Sequence, residues 1–196
     1  MVNLVLKFVS CARAAGLRIS SSEVLDCLNQ LELVDILEEP QFASVLRANF
    51  AKSRREQHHF DRLYHLFFHE MRQDSSIAHS ESLAEEIQQS LDNLPLEPNG
   101  DPSFQSVMDF LRGDPLRFLE QMRQVLAGGD GEGSRMGANL GAVVGRLELM
   151  LQINAFENAL LEFFNDQRGR MNWEIRRDLL QHFNARLESA RRLLTQ

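Results

Sequence analysis

Phe60-Asp-Arg-Leu-Tyr-His-Leu-Phe-Phe-His-Glu-Met71 is the stretch on which the fold turns. Phe60, Tyr64, Phe67, Phe68 and Met71 fall at offsets 0, 4, 7, 8 and 11, the spacing of one face of an α-helix and not the alternation of a strand. This predicts a helix from about Glu56 to Arg72 carrying the most aromatic face in the chain. Upstream, Leu4, Val5, Phe8, Val9, Ala12 and Ala15 recur at three- and four-residue spacing, and Gly16 stands where a left-handed cap belongs. Ser20 with Glu23 reads as a capping box before a helix built on Val24, Leu25, Leu28 and Leu31. After Val34 and Leu37, Glu39-Pro40 opens a third helix, since proline suits a first helical position, and Phe42, Val45, Leu46 and Phe50 give its apolar face.

Downstream the same period continues. Leu83, Ile87, Leu91 and Leu94 outline an acidic helix ending near Pro95, and residues 95–102, Pro-Leu-Glu-Pro-Asn-Gly-Asp-Pro, read as a loop. Phe104, Val107, Met108 and Leu111 form a short helix stopped by Gly113-Asp114-Pro115, where Asp114 can cap and Pro115 can open a helix presenting Leu116, Leu119, Met122 and Val125. A glycine-rich loop over 127–137 precedes an apolar helix from Ala138 to about Phe164, and a last helix spans Trp173 to Leu194. No segment alternates long enough to make a strand. The expectation is an all-α, irregular bundle of about eight or nine helices. It divides into an N-terminal subdomain 1–94, a loop 95–102 and a C-terminal subdomain 103–196.

Composition excludes several classes. Of the 196 residues, 43% are hydrophobic and 25% charged, with only five prolines and 11 glycines, which excludes a disordered or linker-like chain. The net charge of −7 argues against affinity founded on phosphate neutralisation. That charge is uneven: residues 1–73 carry nine basic and nine acidic groups, 74–134 three and 12, 135–167 two and four, and 168–196 seven and three. An acidic middle and a basic end can neutralise each other within the fold or face separate partners. Cys11 and Cys27 lie in apolar patterns, as buried reduced thiols do. Neither a cleavable leader nor an apolar run of membrane-spanning length is present, so a soluble, cytoplasmic protein is expected.

Candidate chemistry is sparse. His58, Asp61, His65 and His69 fall at offsets 0, 3, 7 and 11, and two histidines four apart can hold one metal ion. His65-Leu-Phe-Phe-His69 lacks the glutamate that follows the first histidine in metalloproteases, and nothing downstream is spaced to complete a site. The four therefore read as a solvated or partner-facing stripe, with a metal site as the alternative. Gly128-Gly-Asp-Gly-Glu-Gly133 resembles a phosphate cradle only in its glycines, because Asp130 and Glu132 would repel an anion. Gly137, Gly141 and Gly145 recur every four residues and would let a second helix approach closely. The cysteines have no adjacent base and Gly-x-Ser-x-Gly is absent, so no nucleophile, cofactor or enzymatic activity is expected. Lys52, Arg54 and Arg55 with His58 and His59 form one basic cluster. Arg168, Arg170, Arg176, Arg177, Arg186, Arg191 and Arg192 form a stronger one, suited to an acidic protein surface.

The order Phe8, Ala15-Gly-Leu-Arg-Ile-Ser20, Glu23-Val-Leu-Asp26, Leu33-Val-Asp35, Phe42-Ala-Ser-Val-Leu-Arg-Ala48 and Phe60-Asp-Arg-Leu-Tyr-His-Leu-Phe-Phe68 resembles a known pattern. It is similar to the N-terminal helical region of CoxE-like proteins that contain a von Willebrand factor A (VWA) domain, over residues 4–73. Gly113-Asp114-Pro115 resembles a weaker later element. The resemblance implies a bacterial protein that works with a MoxR-type AAA+ ATPase in chaperone-like maturation or metal insertion of client enzymes. It implies protein partners: the ATPase, a client, or the VWA domain itself. That domain's Asp-x-Ser-x-Ser motif, which helps gather oxygen ligands around magnesium, has no counterpart. Asp101-Pro-Ser-Phe-Gln105 is a near miss in a loop with no strand before it. No VWA domain is expected in these 196 residues, which stand for an excised N-terminal part or a stand-alone version.

Overall fold

The computed structural model describes residues 1–71, 81–94, 101–127, 135–167 and 171–195. Among the described residues there are nine α-helices, one π-helical stretch and no strand, so the chain is all-α. It divides into two units, Met1–His69 and Glu70–Gln196.

Local chemistry sets the helix ends of the first unit. Helix α1, Val2–Ala14, ends in a Schellman turn: Gly16 takes φ +100°, its N–H donates to the Arg13 carbonyl at 3.0 Å, and the Leu17 N–H donates to the Ala12 carbonyl at 2.9 Å. Helix α2, Ser21–Leu31, starts on the expected capping box, with Glu23 N–H donating to Ser20 Oγ and Ser20 N–H to Glu23 Oε2. Helix α3, Glu39–Phe50, carries Pro40 in its first turn. Helix α4, Arg54–Tyr64, begins on a second capping box, Ser53 with Glu56, two residues before the start expected from the apolar period.

The long helix expected over 56–72 is not α-helical throughout. From His65 to Glu70 it widens into a π-helix. The wider i→i+5 turn advances each residue by less than the α-helical rotation, which brings consecutive bulky residues inward: Leu66 and Phe67 are buried and Phe68 is half-buried. Phe8, fully buried, is the hub of the core. Its ring centroid lies 5.6 Å from Phe60, 5.5 Å from Phe67, 5.2 Å from Phe68 and 6.3 Å from Tyr64. Each such pair adds about 0.5 to 1.5 kcal/mol beyond the area it buries.

The second unit holds α5 (Glu81–Asp92), α6 (Pro102–Leu111), α7 (Leu116–Ala127), α8 (Arg135–Asp166) and α9 (Trp173–Leu194). Phe164 meets Phe183 while Glu157 and Asn154 meet Arg191, so α8 and α9 run antiparallel. Phe104 of α6 stacks on Phe156 of α8 at 4.9 Å, and Phe110 on Phe118 of α7 at the same distance. Gly113, at φ +94°, closes α6 with its N–H on the Phe110 carbonyl, and the Asp114 carboxylate accepts the Leu116 N–H at 3.1 Å, as the Gly-Asp-Pro reading predicts.

Two expectations shift. The sequence puts its boundary at 95–102, but the chain divides at 69/70: α5 packs on α9, its Leu91 and Leu94 are buried, and Asp92 pairs with Arg112 at 2.9 Å. Asp101, placed in that loop from sequence, is the N-cap of α6, accepting the Ser103 N–H at 2.8 Å, and Pro102 is in its first turn. The Asp-x-Ser near miss is thus a helix start. Residues 95–100, and 128–134 of the glycine-rich loop, lie outside the described residues. Among the helical glycines, a Cβ on Gly145 would stand 2.8 Å from the Val125 methyls, so α7 approaches α8 there, whereas Gly141 faces open space.

Candidate functional site

The histidine stripe does not assemble into a metal centre. Asp61 is engaged by Arg47 at 2.5 Å and His69 Nε2 by Glu39 Oε1 at 2.7 Å. The rings of His65 and His69 stack at 5.2 Å, and His58 is exposed. Among the described residues no group of three or more metal-type side chains is placed to share an ion. Cys11 and Cys27 are buried and not joined in a disulfide, and burial pushes the Cys27 thiol up to about 11, which holds it protonated.

The basic residues fare differently from one another. Arg54 and Arg55 are exposed on the first turn of α4, while Lys52 is tied to Glu23. Of the C-terminal group, Arg168 and Arg170 lie outside the described residues. Arg186 is buried, its guanidinium donating to the Met71 carbonyl at 2.8 Å and to the Met71 sulfur, so it organises the core rather than a surface. Arg191 bonds Glu157, Glu188 and Asn154, and Arg192 bonds Glu70 at 3.2 Å. Arg177 pairs with Asp178 and lies 5.2 Å over the Trp173 ring; Arg176 is half-buried. Among the described residues, Arg177, Arg191 and Arg192 of the basic end are thus paired with Asp178, with Glu157 and Glu188, and with Glu70. The acidic middle supplies other pairs, Asp92 with Arg112 and Asp109 with Arg117 at 3.2 Å.

The first unit also holds a cavity of about 340 Å³, between the start of α1, the α2–α3 connection and the π stretch. The buried rings of Phe42 and Tyr64 and half-buried Phe68 line its inner side; exposed Met1, Ile36 and Leu37 line its outer side. Tyr64 and Phe68 stack at 4.6 Å, and Phe42 meets Phe68 edge-on at 5.4 Å. The π turn is what delivers Phe68 and His69 together to this wall. His69 and Glu39 form its polar edge. Burial, and then the Glu39 carboxylate, push the Tyr64 phenol up to about 12, so it stays neutral and available as a donor.

A trace of this cavity is visible in the sequence. Leu33, Val34, Ile36 and Leu37 interrupt the acids Glu32, Asp35, Glu38 and Glu39 in a connection between helices, where polar turn residues are the rule. In the second unit a hollow of about 530 Å³ is edged by Gln89, Asn93, Glu162, Phe163, Asp166 and Met171. No helix of the described residues is long and apolar enough to cross a membrane.

No curated protein and no solved structure matches the chain. The unit that carries the cavity has a counterpart: residues 5–71 match the model of the CoxE N-terminal helical bundle domain.

Proposed function

We propose that this chain is a non-catalytic protein-interaction module that acts with a MoxR-type AAA+ ATPase in the chaperone-like maturation of, or metal insertion into, client proteins. The observation that carries the reading is the match of residues 5–71 to the CoxE N-terminal helical bundle domain. The ATPase and the clients come from the resemblance of Phe8 to Phe68 to CoxE-like proteins. An apolar cavity bordered by exposed aliphatic side chains supports an interaction role, because such side chains gain free energy when a partner removes them from water.

Co-purification tests it. Tagged chain, co-expressed with a MoxR-type ATPase of the same genome, is expected to retain the ATPase through size-exclusion chromatography at micromolar concentration. Failure to retain it, with a chain of native circular dichroism, overturns the ATPase assignment. Calorimetric zinc and nickel titrations are expected to be silent; stoichiometric binding lost in a His65→Ala/His69→Ala variant would restore the metal-carrier reading.

A further inference from the structure

We infer that the cavity of the first unit docks a partner segment that presents one bulky apolar side chain flanked by lysine or arginine. The proposal rests on the interaction role above and gives that role a place and a partner chemistry.

The apolar half of the argument is burial. Leu33 is 84% exposed and Leu37 89%, in a connection of which only Val34 is half-buried and the rest is exposed. Both belong to the seven-residue link Glu32–Glu38 that passes from α2 to α3, and Leu37 lines the cavity itself. Leaving two leucines in water forgoes the gain of burying them. A cavity of about 340 Å³ walled by Phe42, Tyr64 and Phe68 is near the small end of ligand pockets. It suits the single aliphatic or aromatic anchor around which protein interfaces concentrate their energy.

The other half is charge. Between Leu31 and Pro40 stand Glu32, Asp35, Glu38 and Glu39 and no lysine or arginine. Among the described residues no cation pairs with Glu32, Asp35 or Glu38. His69, which lines the cavity, is held by Glu39. Arg47 and Lys52 of the same unit are committed to Asp61 and Glu23. The link that brings Ile36 and Leu37 to the cavity is therefore acidic, and a segment with Lys or Arg beside its anchor gains attraction there while an acidic one is repelled.

The test is selection of random 16-residue peptides displayed on phage against the full chain, followed by fluorescence anisotropy with the enriched peptides. Enrichment of Leu, Phe, Met or Trp next to Lys or Arg is expected. Leu37→Asp is expected to weaken the best peptide at least tenfold, and Asp35→Lys/Glu38→Lys to weaken it several-fold and flatten its salt dependence. All three positions are exposed, so native circular dichroism is expected in each variant. Absence of enriched peptides, enrichment without that pattern, or an affinity unchanged by Leu37→Asp overturns the proposal. The two readings fail separately. If the ATPase co-purifies equally with wild type and Leu37→Asp while no peptide is selected, the cavity assignment falls and the interaction module stands. If wild type retains no ATPase but basic-flanked peptides still bind at Leu37, the ATPase falls and the docking site stands.

Discussion

The two units solve the same problem by opposite means. The first closes around a ring cluster centred on Phe8 and ends its helices with neighbours in sequence: Ser20 with Glu23, Ser53 with Glu56, Gly16 after Ala15. The second also buries phenylalanines, but its polar ties span more of the chain than those of the first, such as Lys52 with Glu23 and His69 with Glu39. Arg186 reaches Met71, Ser189 and Arg192 reach Glu70, and Arg191 reaches Glu157. Their exposed apolar residues differ as well. In the first unit Met1, Ile36 and Leu37 border an aromatic cavity; in the second, Val144, Leu147 and Leu151 lie one after another along α8. An apolar core held by short-range caps leaves a connection free to present side chains outward, whereas long-range polar ties occupy the very arginines that seemed available for partners.

The largest expected effect strikes the hub. Phe8→Ala removes a fully buried ring with four aromatic neighbours and is expected to cost about 3 to 5 kcal/mol. The chain offers a built-in way to see where: its one tyrosine, Tyr64, belongs to the first unit and its one tryptophan, Trp173, to the second. Chemical denaturation followed at each chromophore should show the tyrosine transition moved to lower denaturant. An equal move of the tryptophan transition would mean the units unfold as one, and the contrast drawn above would not extend to stability.

Next comes the polar tie. Arg186→Ala is expected to cost about 2 to 3 kcal/mol, since it strips a charged donor from the buried Met71 carbonyl and leaves a void. Arg186→Met, which keeps volume without charge, is expected to recover part of that loss. If both variants unfold like wild type at Trp173, the long-range tie contributes nothing and the second unit rests on its phenylalanines alone. Smaller and opposite in sign are two glycines of α8. Gly145→Ala must push Val125 aside and is expected to destabilise by about 1 kcal/mol or more. Gly141→Ala meets open space and is expected to stabilise by up to about 1 kcal/mol through helix propensity. Thermal melts of the pair read the difference directly.

How much of this was legible follows the same divide. Gly16, the Ser20-Glu23 box, Pro40 and Gly113-Asp114-Pro115 were readable because a cap is satisfied within three to six residues, a distance at which sequence alone names both partners. The aromatic period of 60–71 gave the helix but not its π turn, which answers to packing around Phe8 rather than to propensity. Arg186 looked like its exposed neighbours because its acceptor lies 115 residues away. Arg191 and Arg192 looked free for the same reason. Of the three glycines spaced by four, the sequence could not distinguish Gly145, under Val125, from Gly141, since only the crossing of α7 separates them. The cavity was hardest to read, being assembled from α1, the α2–α3 connection, α3 and the π stretch.

The smallest expected effect tests, by pH, Glu23, which both caps α2 and pairs with Lys52. Glu23 is held down to about 2 from 4.5 by its hydrogen bond with Lys52, then by the Ser20 N–H it caps, while desolvation opposes them weakly. A carboxylate whose folded pKa is depressed stabilises the fold fully above its unfolded value and loses that contribution as protons bind to the folded form. Stability from this group is therefore complete above about pH 5 and is surrendered between about 4.5 and about 2. The pair is solvated, so the contribution is about 1 kcal/mol or less. Glu23→Gln keeps a hydrogen-bonding side chain but cannot titrate, and it is expected to flatten the acid limb of the tyrosine-monitored stability curve while leaving the tryptophan-monitored limb unchanged. An acid limb unaltered by the substitution would remove Glu23 from the groups that secure the first unit, leaving Ser53-Glu56 and the Phe8 cluster to fix the helix ends between which the cavity opens.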